Sequence, residues 1–326
     1  MDKIIGLGNA LVDVLVKIQS DETLSEMQLP KGCMTLIDED KYHIISKFFS
    51  KQKTHVCIGG SAGNAIRALS HLGAATGFIG KVKKDCNGDF FRQSLEELGV
   101  EDKMLLSETL PTGVASTFIS PDGQRTFGTY LGAAASLTAD ELNLDMFAGF
   151  SYLFIEGYLV QNHGLILRAI CLAKEVGLQV CLDLASCNVV ADDLEFFSLL
   201  INKYIDIVFA NEQEAKALTG LPGEEAVDAI AKMCSVSIVK LGKRGVVIRK
   251  GTERIFDEAA PVPDSKVADT TGAGDYFAAG FLYGLTSGKS LERCARIGSI
   301  LSGEVIQVIG TELTAERWKE IQAIVG

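Results

Sequence analysis

Short apolar runs alternate with helical patterns along this chain, and that alternation constrains its fold more than any other feature. Turn residues bound each run, and helical patterns over residues 62–72, 165–176 and 194–204 lie between them. Parallel strands need crossover connections, usually helices, which cover both faces of their sheet. The pattern therefore predicts a three-layer α/β fold with a mostly parallel central sheet. The apolar runs are residues 4–7, 56–58, 77–79, 152–155, 180–183, 207–210 and 238–241.

Two stretches break this alternation. Residues 14–18 are apolar apart from Lys17 and are followed by a polar loop and another apolar segment at 33–37. Residues 113–119 and 124–130 flank Pro121-Asp122-Gly123, which is typical of a β-hairpin turn. Strands without crossover helices predict a small antiparallel sheet, formed by about 14–38 and about 112–131, beside the main one. Such a sheet could cover a site as a lid or form the surface of a twofold homodimer.

The charge balance excludes several kinds of partner. The formal net charge is -11, whereas nucleic-acid and anionic-membrane binding both depend on clustered Lys and Arg. No stretch of about twenty apolar residues is present, and the apolar start is interrupted by Asp13 without a cleavage site. The eight cysteines form no C-x-x-C pair and the four histidines no metal-binding spacing. We expect a cytoplasmic protein with no nucleic-acid or membrane partner.

A glycine-rich segment, Asp269-Thr270-Thr271-Gly272-Ala273-Gly274-Asp275, comes directly before an apolar helical pattern. Small residues at a helix start leave its first N–H groups uncovered, and these groups together with the helix dipole attract an anion. A phosphate is therefore expected on Gly272 to Asp275, with the Asp275 carboxylate facing it. Taken alone, the segment is also compatible with an ordinary capped helix.

The whole segment resembles the C-terminal signature of the ribokinase-like, or PfkB, carbohydrate kinase family. Gly59-Gly60-Ser61-Ala62-Gly63-Asn64-Ala65 resembles the family's N-terminal signature, and the two occur in the expected order. The resemblance covers nearly the whole chain. It implies a single ribokinase-like α/β kinase domain over residues 1–326, with the small sheet as its lid.

The resemblance also implies a role for individual residues. Asp275 would be the catalytic base, and an anion hole would be formed by Gly272, Ala273 and Gly274. Sugar binding would involve Asn9, Asp13, Gly59, Gly60 and Asn64. ATP binding would involve Lys240, Gly242, Gly245 and Thr271, although the family often has Thr where this chain has Lys240. Magnesium would be held with ATP, mostly through water, near Asn211 and Glu214, and a monovalent cation, usually potassium, beside Asp269 and Thr271.

The sequence identifies the type of reaction more narrowly than it identifies the acceptor molecule. Residues 8–13, 110–113 and 295–299 look more like the adenosine-kinase branch than like ribokinase. We therefore expect ATP-dependent phosphorylation of a primary hydroxyl on a ribose-containing, adenosine-like nucleoside, as in purine salvage. A simple sugar kinase of the ribokinase or fructokinase type remains open, as does a non-catalytic regulator. Side chains that could line a base pocket, or pack the lid instead, are Phe118, Phe127, Tyr130 and Leu131.

Overall fold

The computed structural model describes residues 2–326, which form a nine-stranded sheet, a five-stranded sheet, a two-stranded sheet and the helices that cover them. The strands, in chain order, are β1 (Ile4–Leu7), β2 (Leu11–Lys17), β3 (Met34–Leu36), β4 (His55–Gly59), β5 (Thr76–Ile79), β6 (Lys81–Lys83), β7 (Glu101–Asp102), β8 (Leu105–Ser107), β9 (Gly113–Ile119), β10 (Arg125–Tyr130), β11 (Tyr152–Glu156), β12 (Gln179–Asp183), β13 (Ile207–Asn211), β14 (Val236–Lys240), β15 (Val246–Lys250) and β16 (Glu253–Asp257).

The helices bear out the three helical patterns read from the sequence. In chain order they are α1 (Glu22–Glu26), α2 (Glu39–Phe49), α3 (Ser61–His71), α4 (Cys86–Glu96), α5 (His163–Glu175), α6 (Cys187–Asp192), α7 (Leu194–Lys203), α8 (Glu212–Thr219), α9 (Gly223–Ile230), α10 (Ala273–Thr286), α11 (Leu291–Val305) and α12 (Ala315–Val325). Among the described residues, no helix combines the length and apolar character that crossing a membrane requires.

The large sheet has the strand order β16-β15-β14-β13-β12-β11-β1-β5-β7. Pairing is parallel from β14 to β7, and only β15 and β16 join antiparallel. Successive side chains of β1 point to opposite faces: Ile4 packs with α3, α10 and α11, whereas Ile5 packs with α5 and α7. Both faces are therefore apolar and covered, which confirms the three-layer fold.

The small sheet has the order β3-β10-β9-β2-β4. The predicted hairpin is present, because β9 and β10 pair antiparallel, as do β2 and β4. Parallel pairs join β2 to β9 and β3 to β10. We refer to this sheet as the lid.

One strand was assigned to the wrong sheet from its sequence. Residues 56–58 were expected in the main sheet, yet they lie in β4, at an edge of the lid. The lid also begins at Leu11, before the predicted boundary. Val56-Cys57-Ile58 is a short apolar run, and such a run does not specify which sheet will bury it.

The outer face of the lid is covered by the same chain. Helices α1 and α2 pack Leu24, Ile45 and Phe49 against Val16 and Phe118 of the sheet. Phe118 is fully buried in this cluster and therefore packs the lid instead of lining a pocket. The predicted homodimer through the lid would have to use a surface other than this covered face.

Candidate active site

A cavity of about 1250 Å³ lies between the lid and the carboxyl ends of the large sheet's strands. Five of those strands each contribute a polar side chain at or just past the end. Because the carboxyl ends of neighbouring parallel strands meet at one edge, such positions are the usual ligand site of an open α/β sheet. The five residues, from β1, β11, β12, β13 and β14, are Asn9, Glu156, Asp183, Asn211 and Lys240.

The start of α10 forms the floor of this cavity. Gly272 adopts the left-handed conformation (φ 76°) that a glycine tolerates, and it turns the chain into the helix. Within residues 2–326 the backbone N–H groups of Gly274 and Asp275 have no hydrogen-bond acceptor, whereas that of Ala273 donates to Thr270 O. Uncovered N–H groups at a helix start can bind an anion, and we refer to this helix start as the anion cradle. The sequence predicted Gly272, Ala273 and Gly274 for this role, but the Ala273 N–H is already engaged by Thr270 O.

Asp275 brings the two predicted signatures together. Ser61 Oγ donates to its Oδ1 (2.7 Å) and Asn64 Nδ2 donates to its Oδ2 (2.9 Å). Asn64 Oδ1 in turn accepts from Thr311 Oγ1 (3.0 Å), which fixes the orientation of the amide. Asn64 therefore orients the carboxylate as well as lining the cavity, and Ser61, which was not predicted, has the same role.

Burial raises the pKa of Asp275 to about 6, although the hydrogen bonds from Ser61 and Asn64 act in the opposite direction. The carboxylate is therefore charged at neutral pH, yet it binds a proton more readily than an exposed Asp. This proton affinity suits a group that accepts a proton during a reaction.

Asp13 on β2 lines the cavity where the lid borders it. A Cβ at Gly59 would lie only 1.9 Å from Asp13 Oδ1, so the strand beside Asp13 accommodates only glycine at this position. Gly60 is equally constrained, because it has φ 81° and a Cβ there would lie 2.2 Å from Asn9 O. Burial raises the pKa of Asp13 to about 7, while the nearby Arg125 lowers it.

Glu156 at the end of β11 was not predicted, although it lies in the middle of this network. Its Oε1 accepts from Asn9 N (2.9 Å) and Asn9 Nδ2 (2.6 Å), and its Oε2 accepts from Ala62 N (2.9 Å). Glu156 thereby joins the end of β1 to the start of α3, the helix that carries Ser61 and Asn64. Burial raises its pKa to about 7. The available sequence signal was a charged residue that ends an apolar run.

Arg125, on the lid strand β10, pairs with Asp269 behind the wall of the cavity. Its Nη2 lies 2.8 Å from Asp269 Oδ2, and both side chains are almost completely buried. The guanidinium N–H is not directed at that oxygen, so the contact is an ion pair without hydrogen-bond geometry. This pair holds the lid against the loop that leads into α10.

The two predicted metal positions differ in how well they suit a cation. Asn211 and Glu214 form a capping box at the start of α8, in which Glu214 Oε2 accepts from Asn211 N (2.8 Å). Glu214 lines the cavity and retains lone pairs for a water molecule, so this pair fits magnesium held through water. Asp269 instead accepts from Thr271 N (3.0 Å) and Gly310 N (3.1 Å) and faces Arg125. Its charge is already compensated, and its side chain fits a monovalent cation poorly.

Most of the predicted site residues meet at this one cavity. Gly59 and Asp269 lie behind its wall, where they contact Asp13 and Arg125. Gly245 (φ 113°), which precedes β15, lies so close to the end of β16 that a Cβ would be 2.0 Å from Asp257 O. The predicted residues that line the cavity are Asn9, Asp13, Gly60, Asn64, Asn211, Glu214, Lys240, Gly242, Gly245, Thr271, Gly272, Ala273, Gly274 and Asp275.

An open helix start, a neighbouring carboxylate and a cavity under a small sheet together are typical of a phosphoryl-transfer enzyme of the ribokinase-like class. The chain belongs to the pfkB family carbohydrate kinases, which residues 47–318 match. It is therefore an ATP-dependent phosphotransferase with an alcohol group as acceptor.

Relatives within this family include sugar and adenosine kinases. The crystal structure of a probable sugar kinase protein from Rhizobium etli CFN 42 has a TM-score of 0.89 and 33% identity, covering 99% of this chain and 98% of the other. An adenosine kinase from Sinorhizobium meliloti has a TM-score of 0.88 and 32% identity, covering 99% of both chains. Adenosine kinase 2 of Arabidopsis thaliana is 25% identical over 342 residues, which cover 94% of each protein.

Proposed function

We propose that this protein transfers the γ-phosphoryl group of ATP to a primary hydroxyl of a ribose-containing, adenosine-like nucleoside. The observation that carries the proposal is the mixed character of the acceptor pocket. Asp13 lies on one side, while Met34 and Leu36 on the lid expose 43% and 46% of their surface. The apolar side chains that line this part of the cavity are Leu11, Met34, Leu36, Phe127 and Leu131.

A nucleoside matches both halves of this pocket. Its vicinal diol can donate two hydrogen bonds to a carboxylate such as Asp13, and its base offers a flat apolar face to the lid. A free sugar has no comparable apolar surface, so it would leave Met34 and Leu36 exposed. Two of the relatives described above are adenosine kinases, which supports the same acceptor class.

The reaction needs mainly positioning and charge neutralisation. In phosphoryl transfer the transition state is loose, so the attacking hydroxyl can keep its proton until late. Asp275 would orient that hydroxyl and accept its proton, while Ser61 and Asn64 hold the carboxylate in place. The N–H groups of Gly274 and Asp275 would stabilise the charge on the transferred phosphoryl group.

Magnesium bound with ATP would supply positive charge to the phosphates, and Asn211 and Glu214 are the residues that would hold it through water. The side chain of Asp269 would not hold potassium, because it is already paired with Arg125.

A coupled assay of ADP release, with Mg-ATP and a panel of nucleosides and free sugars, tests the proposal. We expect turnover with adenosine or a close analogue and little with ribose or fructose. Turnover with a free sugar alone would identify a sugar kinase instead. A folded sample that binds ATP but phosphorylates no acceptor in the panel would contradict the proposal and favour a regulator.

A further inference from the structure

Lys240 places a buried ammonium group in the active-site cavity. It ends β14, and its side chain is only 15% exposed. Its Nζ donates to Asp183 Oδ2 (3.0 Å), and Asp183 Oδ1 accepts from Ala185 N (2.9 Å). Ala185 has φ 63°, a left-handed conformation that non-glycine residues rarely adopt. The turn after β12 is therefore strained in the conformation that holds the carboxylate facing Lys240.

The ammonium lies directly beside the anion cradle. A Cβ built on Gly274 would be only 3.0 Å from Lys240 Nζ. The N–H of Gly274 is one of the two that lack an acceptor within the described part of the chain. Lys240 and the start of α10 therefore present positive charge to the same small volume. An anion bound there would accept hydrogen bonds from both.

The charges around Lys240 explain why a cation is needed at this point. Asp183, Glu214 and Asp275 all line the same cavity, and a triphosphate would meet three carboxylates. Burial disfavours the ammonium, but Asp183 and Glu214 outweigh it and raise the pKa of Lys240, which stays protonated.

Two other cationic side chains line the cavity, but both are exposed and already paired with carboxylates. Lys243 pairs with Asp264 and is 83% exposed, whereas Arg244 pairs with Glu212 and Glu224 and is 55% exposed. Among the described residues that line the cavity, Lys240 is thus the cation that is both buried and adjacent to the cradle.

We propose that Lys240 Nζ donates a hydrogen bond to the γ-phosphoryl group during its transfer, an inference that rests on the proposed kinase function. In this step the bond from the acceptor oxygen to Pγ forms and the bond from Pγ to the ADP oxygen breaks. The hydroxyl proton passes to Asp275, and Lys240 remains protonated throughout. Asp183 is the positioning residue that holds the ammonium between turnovers.

Calorimetry with Mg²⁺ and two nucleotides tests this role without any acceptor. For Lys240→Met we expect the affinity for a non-hydrolysable ATP analogue to fall about 10–100-fold, the range for losing a hydrogen bond to a charged group. The affinity for ADP, which lacks the γ-phosphate, should change less than about threefold. Lys250→Met is the matched control, because Lys250 is exposed and pairs with Val236 at the far end of β14. Equal losses for both nucleotides would overturn the proposal.

Kinetics should show the same selectivity. We expect kcat of Lys240→Met to fall about 10–100-fold, with the KM for the acceptor nearly unchanged. Ethylammonium should restore part of the lost rate to Lys240→Ala, since it can occupy the vacated space. A Lys240→Met enzyme with a wild-type kcat would refute the role.

Labelling of the wild-type protein avoids any dependence on a variant that might not fold. An ATP acyl-phosphate transfers its acyl group to the neutral amine of a lysine near the γ-phosphate, with ATP as the leaving group. The small deprotonated fraction of Lys240 should be labelled, the more so as the pH is raised, and Mg-ATP should prevent the labelling. Absence of label at Lys240, or label that Mg-ATP does not reduce, would refute the proposal. If the label and the triphosphate preference are present but no acceptor is phosphorylated, the proposed function fails while nucleotide binding by Lys240 stands.

Discussion

The chain contains two glycine-rich helix starts, and they differ in what their backbone N–H groups bind. At the start of α3, the N–H of Ala62 already donates to Glu156 Oε2, a carboxylate from inside the protein. At the start of α10, the N–H groups of Gly274 and Asp275 have no acceptor within residues 2–326. One helix start is thus neutralised internally, whereas the other is open to a ligand.

This difference separates a structural role from a binding role. Because Glu156 holds the start of α3 in place, Ser61 and Asn64 can position Asp275. Because no protein group covers the start of α10, its dipole is available to a phosphate. Glycine content alone does not distinguish the two helices; the buried carboxylate does.

The largest effect is expected from replacing Asp275, the proposed base at the start of α10. Asp275→Asn preserves the shape of the side chain but cannot accept a proton from the acceptor, so we expect kcat to fall about 10²–10⁴-fold. Steady-state kinetics with saturating substrates measures this loss. Asp145→Asn, at an exposed aspartate that does not line the cavity, serves as the control. Near-normal turnover by Asp275→Asn would show that another group accepts the proton.

Replacing Glu156 tests whether the start of α3 needs an internal carboxylate for stability. Glu156→Ala leaves Asn9 N, Asn9 Nδ2 and Ala62 N without an acceptor, and each buried unpaired donor costs about 1–3 kcal/mol. We expect the free energy of unfolding to fall by about 2–4 kcal/mol in denaturant titrations, since the groups relax in part. Glu156→Gln keeps one carbonyl oxygen and should lose less. Equal stabilities of Glu156→Ala and wild type would mean that α3 needs no internal partner.

Two glycine substitutions should change the KM values for different substrates, ATP in one case and the acceptor in the other. In Gly274→Ala the new Cβ would lie 3.0 Å from Lys240 Nζ, so we expect the KM for ATP to rise about tenfold, equivalent to ~1.4 kcal/mol. In Gly59→Ala the Cβ would displace the Asp13 carboxylate, and the KM for the acceptor should rise instead. Gly164→Ala is a suitable control, because the nearest atom to its Cβ is 3.8 Å away. The same change in both KM values for both variants would contradict this division.

The smallest expected effect is a shift in pH dependence. Asp275 must be deprotonated to act as a base and has a pKa of about 6, so kcat should fall as the pH drops below this value. Ser61→Ala removes a hydrogen bond that lowers this pKa, and the acid limb of the kcat–pH profile should move upward by about 0.5–1 pH unit. A limb that stays in place would indicate that a group other than Asp275 controls it.

The sequence patterns predicted the large sheet well because its parallel strands are short, apolar and separated by amphipathic helices. They assigned β4 to the wrong sheet, since its run Val56-Cys57-Ile58 looks like any buried strand. Of the lid aromatics predicted to line a base pocket or pack the lid, Phe127 lines the cavity. Phe118 instead packs under α2, and Tyr130 stacks on Tyr42 with ring centroids 4.8 Å apart. The sequence of a strand does not show which of its two faces a helix will cover and which will face the cavity.

Site residues that belong to local signatures could be predicted, and those defined by distant partners could not. Glu156 binds Asn9, which is 147 positions away, and no pattern around either residue indicates the pairing. Arg125 and Asp183 were missed for the same reason, because each is recognisable only beside Asp269 or Lys240. Hydrogen bonds and ion pairs between residues distant in sequence depend on the assembled fold.

The hydrogen bond between Ser61 and Asp275 joins positions 214 residues apart, which has a consequence for synthesis of the protein. Domains generally fold as units, and the core that packs α3 also contains side chains of α10, α11 and α12. The site therefore cannot be assembled while Asp275 has not yet been translated. A nascent chain at that stage lacks both the Asp275 carboxylate and the anion cradle. Phosphoryl transfer, and wasteful hydrolysis of ATP, must await nearly complete translation.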